Sequence, residues 1–101
     1  MAISMVIRRT GDYKDTRLQA LRNQGVPLLK KHGATSHRFG YYQSGPYTGQ
    51  ILIVLTYPDL ETHERAMQGM SEDTDWKRVA AEVDKIAPLQ ESYLTVITEE
   101  Q

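Results

Sequence analysis

The sequence predicts an α+β fold in which four strands form one antiparallel sheet with the helices on one of its faces. Three observations predict it. Side-chain character alternates with the two-residue period of a strand over residues 2–9, 35–44 and 91–98, and apolar residues recur at helical spacing between the strands. Residues 50–57 are almost continuously apolar. The resulting order is β-α-β-β-α-β, with the second helical region split in two. Right-handed crossovers then give a ferredoxin-like sheet with the first and third strands central. At 101 residues, the chain is expected to be a single domain spanning 1–101.

The first strand and helix are read from residues 2–33. Ile3, Met5 and Ile7 share one face of the strand, and a leucine stripe with a helical period follows it. Asp12 is the predicted helix N-cap, with Asp15 adding negative charge to the first turn. Because proline lacks an amide donor, a kink or restart is expected between residues 24 and 27. Gly33 is expected to end the helix.

The second strand, residues 35–44, has an aromatic face. Thr35, His37, Phe39, Tyr41 and Gln43 lie on that face, and residues 45–49 follow as a hairpin turn. Whether this face meets the helices or a partner sheet stays open at the sequence level.

The third strand, residues 50–57, predicts assembly. Its longest apolar run is Ile51 to Leu55, so both faces of the strand are apolar and both require a cover. Helices cover one face, and one copy of the chain lacks material for the other. A homodimer formed by sheet-to-sheet packing is therefore expected.

The second helical region has two capping signals. Asp59 is expected to begin a helix whose apolar stripe contains Leu60, His63, Met67 and Met70. Asp73 or Thr74 is expected to begin a second helix with the stripe Trp76, Val79, Ala80, Val83, Ile86 and Ala87, which ends before Pro88.

Composition excludes several classes of function. There are 12 basic and 13 acidic residues, so no field of one sign is available for nucleic acid or an anionic membrane. With no cysteine, thiolate metal sites and a cysteine nucleophile are excluded, and the three histidines lack ligand spacing, so no metal is expected. The N-terminal segment lacks the order of a secretory signal, which predicts a cytoplasmic location.

The chain resembles the dimeric α+β barrel superfamily, in particular its NIPSNAP-type and antibiotic-biosynthesis-monooxygenase-type domains. The segments that support the resemblance are residues 51–59 leading into a helix, Asp75-Trp76 opening the next, and residues 87–94. The resemblance implies a homodimer with a ligand cavity between the helices and the sheet of each protomer. The superfamily includes cofactor-independent monooxygenases, isomerases, cyclases and haem-degrading enzymes. The haem-degrading branch uses an asparagine near the first strand, whereas the only asparagine here is Asn23, so no cofactor is expected.

Six residues are candidates for a site. His63 is expected to point from its helix towards the sheet, and a neutral imidazole there could exchange a proton. The alternative for His63 is a histidine at the edge of the stripe that is hydrogen-bonded to backbone or water, and the alternative for His37 is a residue of the dimer interface. For the tyrosines it is a hydroxyl at the rim in water, and for Trp76 it is a core anchor. The candidate catalytic residues are His63 and His37, and the candidate ligand-binding residues are Tyr41, Tyr57, Trp76 and Met67.

Two functions are compatible with these features. The first is a dimeric module that is non-catalytic or binds a small hydrophobic ligand weakly, with a small or filled cavity. The alternative is a cofactor-independent enzyme of monooxygenase, cyclase or isomerase type, acting on a small aromatic or polyketide-like molecule. A hydrophobic cavity that holds a ligand near His63 favours the enzyme, and a solidly packed interior favours the module.

Overall fold

A computed structural model describes residues 1–100 and confirms the predicted fold class. The sheet has the order β2-β3-β1-β4, and each neighbouring pair is antiparallel. β1 and β3 are therefore central, as predicted. The elements are β1 (Ile3–Arg9), α1 (Thr16–Lys31), β2 (Ser36–Tyr41), β3 (Ile51–Tyr57), α2 (Leu60–Glu72), α3 (Thr74–Ile86) and β4 (Leu89–Val96).

Strand register determines which face of β2 meets the helices. His37 pairs with Leu55 and Phe39 pairs with Ile53, and paired residues of antiparallel strands share a face. Leu55 is buried in the core beneath the helices. The aromatic face of β2 is therefore the helix-covered face, which answers the question that the sequence left open.

The core between sheet and helices consists of two clusters. The first joins buried residues of β1, β3, α1 and α2: Ile3, Ile7, Leu29, Ala34, Leu55, Tyr57, Ala66 and Met70. The second is smaller and contains Leu18, Ile51 and Ala87, with Tyr13, Phe39 and Val83 packed against it. Partly buried Ile53 contacts both clusters. The core is thus divided along β3.

The N-terminus of α1 differs from the prediction. Asp15, not Asp12, is the N-cap, and its side chain accepts a hydrogen bond from the backbone N–H of Arg17. Asp12 instead accepts from the backbone N–H of Lys14 at 2.9 Å, which closes the turn before the helix. Both aspartates therefore have local capping contacts, and the helix begins one turn later than expected.

The helix α1 continues through Pro27 without interruption, so the expected restart is wrong. Pro27 is solvent-exposed, where water can satisfy the carbonyl left without an amide donor. The predicted end is confirmed, because Gly33 has φ 111°. The N–H groups of Gly33 and Ala34 bond the carbonyls of Lys30 and Leu29 in a Schellman arrangement.

Both predicted caps in the second helical region are confirmed. Asp59 accepts a hydrogen bond from the N–H of Thr62 at 2.7 Å, and Asp73 accepts from the N–H groups of Asp75 and Trp76. Leu60, predicted on the inward stripe, is 48% exposed instead. As the first residue of α2, it lies where the chain has just left the sheet.

The strand boundaries also shift. β2 ends at Tyr41 and not at residue 44 as predicted, because the hairpin begins at Tyr42. There the N–H of Gly49 donates a hydrogen bond to the carbonyl of Tyr42 at 2.8 Å. β4 begins at Leu89, two residues earlier than predicted, and a register shift next to Arg9 accompanies that start.

The face of the sheet opposite the helices is partly apolar. Val6, Leu52 and Val54 lie on it and are half-buried by their neighbours alone. The third strand is therefore apolar on both faces, as predicted. None of the helices within residues 1–100 is long and apolar enough to cross a membrane.

The edge strand β4 is the most exposed element of the sheet. Its register places Leu94 and Val96 on the helix side, opposite Met5 and Ile3, yet Val96 is 50% exposed because no helix covers that edge. Tyr93 lies on the opposite face and is 57% exposed.

Candidate functional site

A cavity of about 290 Å³ lies between the helix-covered face of the sheet and the three helices. Its walls are almost entirely apolar, which is typical of sites that bind small organic molecules. The sheet contributes Met5, Ile7, Arg9, His37, Phe39, Ile51, Ile53, Leu55, Leu89 and Ser92. The helices contribute Leu18, Leu21, Arg22, Gly25, Val26, Leu29, Met67, Met70, Trp76, Val79, Ala80 and Val83.

Two arginines reach this apolar cavity from different elements, and their environments differ. Arg9 of β1 has a carboxylate partner: its Nη1 lies 2.6 Å from Oδ1 of Asp84 and also donates to the carbonyl of Ala87 at 3.0 Å. Arg22 of α1 has no carboxylate partner among residues 1–100. The Nε atoms of both arginines are buried without a hydrogen-bond partner, so it is the carboxylate that distinguishes the two. Among residues 1–100, Arg22 therefore provides the positive charge of the cavity wall that has no carboxylate partner.

The guanidinium of Arg22 stacks on Phe39. Its Cζ lies 3.7 Å from the centroid of the Phe39 ring, within the range of a cation–π contact. The contact holds the planar guanidinium against β2, and Arg22 also lines the cavity.

His37 lies next to Phe39 on the same face of β2. Burial lowers the pKa of His37, and the positive charge of Arg22 lowers it further. The imidazole is consequently neutral at pH 7, and a neutral imidazole can accept a proton or a hydrogen bond from a molecule in the cavity.

Of the six predicted site residues, three line the cavity: His37 from β2, Met67 from α2 and Trp76 from α3. Tyr41 does not line it. Its ring stacks on Tyr13 with centroids 4.3 Å apart, and the side chain is 43% exposed at the end of β2.

His63 and Tyr57 lie together in a packed part of the core, away from the cavity. Their rings contact edge-to-face, with centroids 5.1 Å apart and an interplanar angle of 81°. Both ring nitrogens of His63 and the hydroxyl of Tyr57 are buried without a hydrogen-bond partner in the protein. Burial raises the pKa of Tyr57.

The third histidine, His32, is a structural contact. Its Nε2 lies 2.8 Å from Oδ2 of Asp73, so the end of α1 is joined to the junction of α2 and α3. Within residues 1–100, no group of three His, Asp or Glu side chains is arranged to hold a metal ion.

The sequence did contain a signal for Arg22, which the prediction missed. Leu18, Arg22, Gly25 and Leu29 are spaced by four, three and four residues, so all four lie on one face of α1. The predicted stripe of α1 consisted of leucines only and left Arg22 out. Phe39 was placed on the same face of β2 as His37, but the direction of that face stayed open and Phe39 was not among the candidate site residues.

Comparison with solved structures confirms the resemblance inferred from the sequence. SnoaB, a cofactor-independent oxygenase from Streptomyces nogalater, superposes with a TM-score of 0.73 at 12% identity, covering 98% of this chain and 95% of SnoaB. An uncharacterised NIPSNAP domain protein from Burkholderia xenovorans gives 0.74 at 17% identity, covering 97% and 95%. An antibiotic-biosynthesis-monooxygenase-type protein from Chloroflexus aurantiacus gives 0.68 at 14% identity, covering 100% and 97%. At these identities the likeness establishes a shared fold.

Comparison at the sequence level identifies the family. No curated protein matches the chain. The profile of a domain of unknown function, DUF6854, matches residues 3–88, which include every element from β1 to α3. The chain therefore belongs to the DUF6854 family.

Proposed function

We propose that the protein is a binding module for a small, largely apolar organic molecule, which occupies the cavity between sheet and helices. The observation that supports this is an open apolar cavity in a chain this small. Protein interiors are close-packed, and few internal voids exceed a water molecule. A cavity of about 290 Å³ is therefore unlike ordinary packing, and it tells against the filled interior that the first sequence hypothesis allowed.

The size of the cavity limits the ligand. An engineered apolar cavity of roughly 150 Å³ binds benzene. A volume near 290 Å³ therefore suits a molecule about twice as large, such as a bicyclic aromatic. The aromatic rings of Phe39 and Trp76 in the wall favour a flat ligand.

The working unit in this proposal is a single domain over residues 1–101 that assembles into a homodimer through its sheet. Five of the eight large apolar residues that are strongly exposed lie within residues 89–97: Leu89, Tyr93, Leu94, Val96 and Ile97. Of these, Tyr93 lies on the outward face, whereas Leu94 and Val96 lie on the helix side of the uncovered edge. An exposed apolar edge strand favours association. The partly apolar outward face around Val54 is continuous with that edge through β1. At about 25 cal/mol per Å², covering a few hundred Å² of apolar surface contributes several kcal/mol before association costs.

Native mass spectrometry of the purified protein tests both parts of the proposal. It reports the number of subunits and the mass of any small molecule that co-purifies. Val54→Lys places a charge at the centre of the outward face and should yield monomers that keep their secondary structure. Gln68→Lys, on the exposed side of α2, is the matched control and should remain dimeric. Wild-type protein that is monomeric across the working concentration range would disprove the dimer.

A second candidate function is cofactor-independent catalysis, and the position of His37 favours it. A neutral imidazole in the cavity wall can take a proton from a phenol or an acidic C–H group of a bound molecule. The product is an oxyanion beside an imidazolium, and the nearby cation Arg22 stabilises the oxyanion. SnoaB, which shares the fold, is an oxygenase that uses no cofactor.

Deprotonation of a bound phenol distinguishes the two candidates. A phenol whose absorbance changes on ionisation is titrated into wild type, His37→Gln and His63→Gln. Catalysis predicts that wild type and His63→Gln lower the apparent pKa of the phenol further than His37→Gln does, because in His37→Gln only Arg22 remains to stabilise the oxyanion. Equal pKa values in all three proteins would leave a binding module without a catalytic base.

A further inference from the structure

We propose that the cavity selects organic anions, and that Arg22 binds their carboxylate or an equivalent anionic oxygen group. This inference rests on the proposed binding function and names the chemical class of the ligand. It makes Arg22 the residue that determines specificity.

The argument starts from the contrast between the two arginines of the cavity. Both are in contact with the same apolar space, but Asp84 neutralises Arg9, while no carboxylate within residues 1–100 pairs with Arg22. A partly buried charge without a partner is costly, because apolar walls do not replace its hydration. An anion in the cavity would offset that cost, and an amide or alcohol of the same shape would do so less well.

The orientation of Arg22 suits a carboxylate. Phe39 covers one face of the guanidinium at 3.7 Å, which restricts the rotation of the group. The guanidinium presents its N–H donors along its edge, in a geometry that matches the two oxygens of a carboxylate. Because the plane of the group is already held, less side-chain entropy is lost on binding.

The neighbouring residue His37 supports the same assignment. The positive charge of Arg22 helps to lower the pKa of His37 and so to keep its imidazole neutral. His37 therefore adds no second positive charge beside Arg22. A neutral imidazole can donate a hydrogen bond from one ring nitrogen to an anionic oxygen. The apolar remainder of the ligand then lies against Phe39, Trp76 and the methionines of the wall.

The test uses two probes of equal shape and different charge, 2-naphthoate and 2-naphthamide. Both are bicyclic and suit the cavity volume, and the carboxylic acid is ionised at pH 7. The chain has one tryptophan, Trp76, and it lines the cavity, so its single indole N–H resonance reports occupancy by NMR. Titrating each probe gives a Kd from the movement of this signal.

The variants separate charge from packing. Arg22→Met removes the charge and keeps an apolar chain on Phe39, and Arg22→Lys keeps the charge without the planar group. Arg65→Met removes one charge from an exposed position on α2 and is the control for net charge. Chemical denaturation establishes that each variant is folded.

Wild type and Arg65→Met should bind naphthoate at least about tenfold more tightly than naphthamide, as expected for charge-assisted hydrogen bonds. Arg22→Met should lose that preference and retain its affinity for naphthamide, and Arg22→Lys should show an intermediate preference. Equal affinities of wild type for the two probes, or an unchanged preference in Arg22→Met, would overturn the inference and leave the binding function intact. If neither probe moves the Trp76 signal, both the inference and the proposed binding function are wrong.

Discussion

The helix-covered face of the sheet has two ends that use similar residues differently. The packed end is centred on Tyr57 and His63, and the cavity end is centred on Phe39, His37 and Arg22. Each end has a histidine, an aromatic residue on a strand, and polar nitrogen or oxygen atoms without a protein partner. The cavity of about 290 Å³ adjoins the cavity end, and neither Tyr57 nor His63 lines it. An unpartnered polar group therefore indicates a site here only when an empty volume lies beside it.

The largest expected effect contrasts the aromatic residues of the two ends. Tyr57 is fully buried, so Tyr57→Ala should lower the free energy of unfolding by about 3–5 kcal/mol. Phe39 is half-buried beside an existing cavity, so Phe39→Ala should cost roughly half as much or less. Urea denaturation of the purified variants measures both values.

Tyr57→Phe is the control for the hydroxyl of that residue. Because the hydroxyl is buried without a protein partner, its removal relieves a desolvation cost and should raise the free energy of unfolding by about 1 kcal/mol. Equal losses for Tyr57→Ala and Phe39→Ala would contradict the distinction between a packed end and a cavity end.

Two helical glycines, one at each end, test the same difference in packing between the packed end and the cavity end. At the packed end, a Cβ on Gly69 would lie 2.7 Å from Nδ1 of His32, whose ring is held by Asp73. At the cavity end, a Cβ on Gly25 would lie 3.4 Å from Cγ1 of Val79, which is an ordinary contact. Gly69→Ala should therefore lower the free energy of unfolding by up to about 2 kcal/mol, since overpacking exceeds the gain in helix propensity.

Gly25→Ala should raise the free energy of unfolding by up to about 1 kcal/mol, because alanine favours the helix. Thermal unfolding of both variants beside wild type provides the measurement. A Gly69→Ala protein as stable as wild type would show that His32 moves aside freely, and the packed end would then be less rigid than its contacts indicate.

The sequence predicted the fold well because the fold depends on local patterns. Alternation, helical spacing and the caps Asp59 and Asp73 each act within a few residues, and each matches the structure. The N-cap was predicted at Asp12 and lies at Asp15, because each of these aspartates accepts a hydrogen bond from the backbone N–H two residues later. Local pattern alone does not decide between two such caps.

The site was less predictable because a cavity depends on the summed volumes of side chains from distant elements. The stripe of α2 predicted that His63 points inward, and it does, but Tyr57 fills the space that it meets. His37, Met67 and Trp76 reach the cavity from three different elements. Periodicity places each of them on a face, but it does not tell whether neighbouring faces meet or leave a gap.

The smallest expected effect concerns acid stability and belongs to the packed end. The hydrogen bond from His32, followed by the backbone N–H of Trp76, lowers the pKa of Asp73 to about 2. A carboxyl whose folded pKa lies below its unfolded value stabilises the fold at higher pH. That contribution is complete above the ordinary aspartate pKa of about 4 and is lost as the pH falls towards 2. His32→Gln removes the largest cause and should raise the pKa of Asp73, so that less stability is lost over this interval.

The ¹³C chemical shift of the Asp73 carboxyl, followed from pH 6 to pH 2, measures that pKa directly. Asp15→Asn is the matched control, because Asp15 also has a pKa of about 2 but owes it to Arg17, two residues away. This substitution should abolish the titration of residue 15 and leave the titration of the Asp73 carboxyl unchanged. An Asp73 carboxyl that titrates at the ordinary value in wild type would mean that the bond to His32 does not form in solution. The end of α1 would then be free of the α2–α3 junction, and the rigidity assigned to the packed end would depend on the apolar cluster alone.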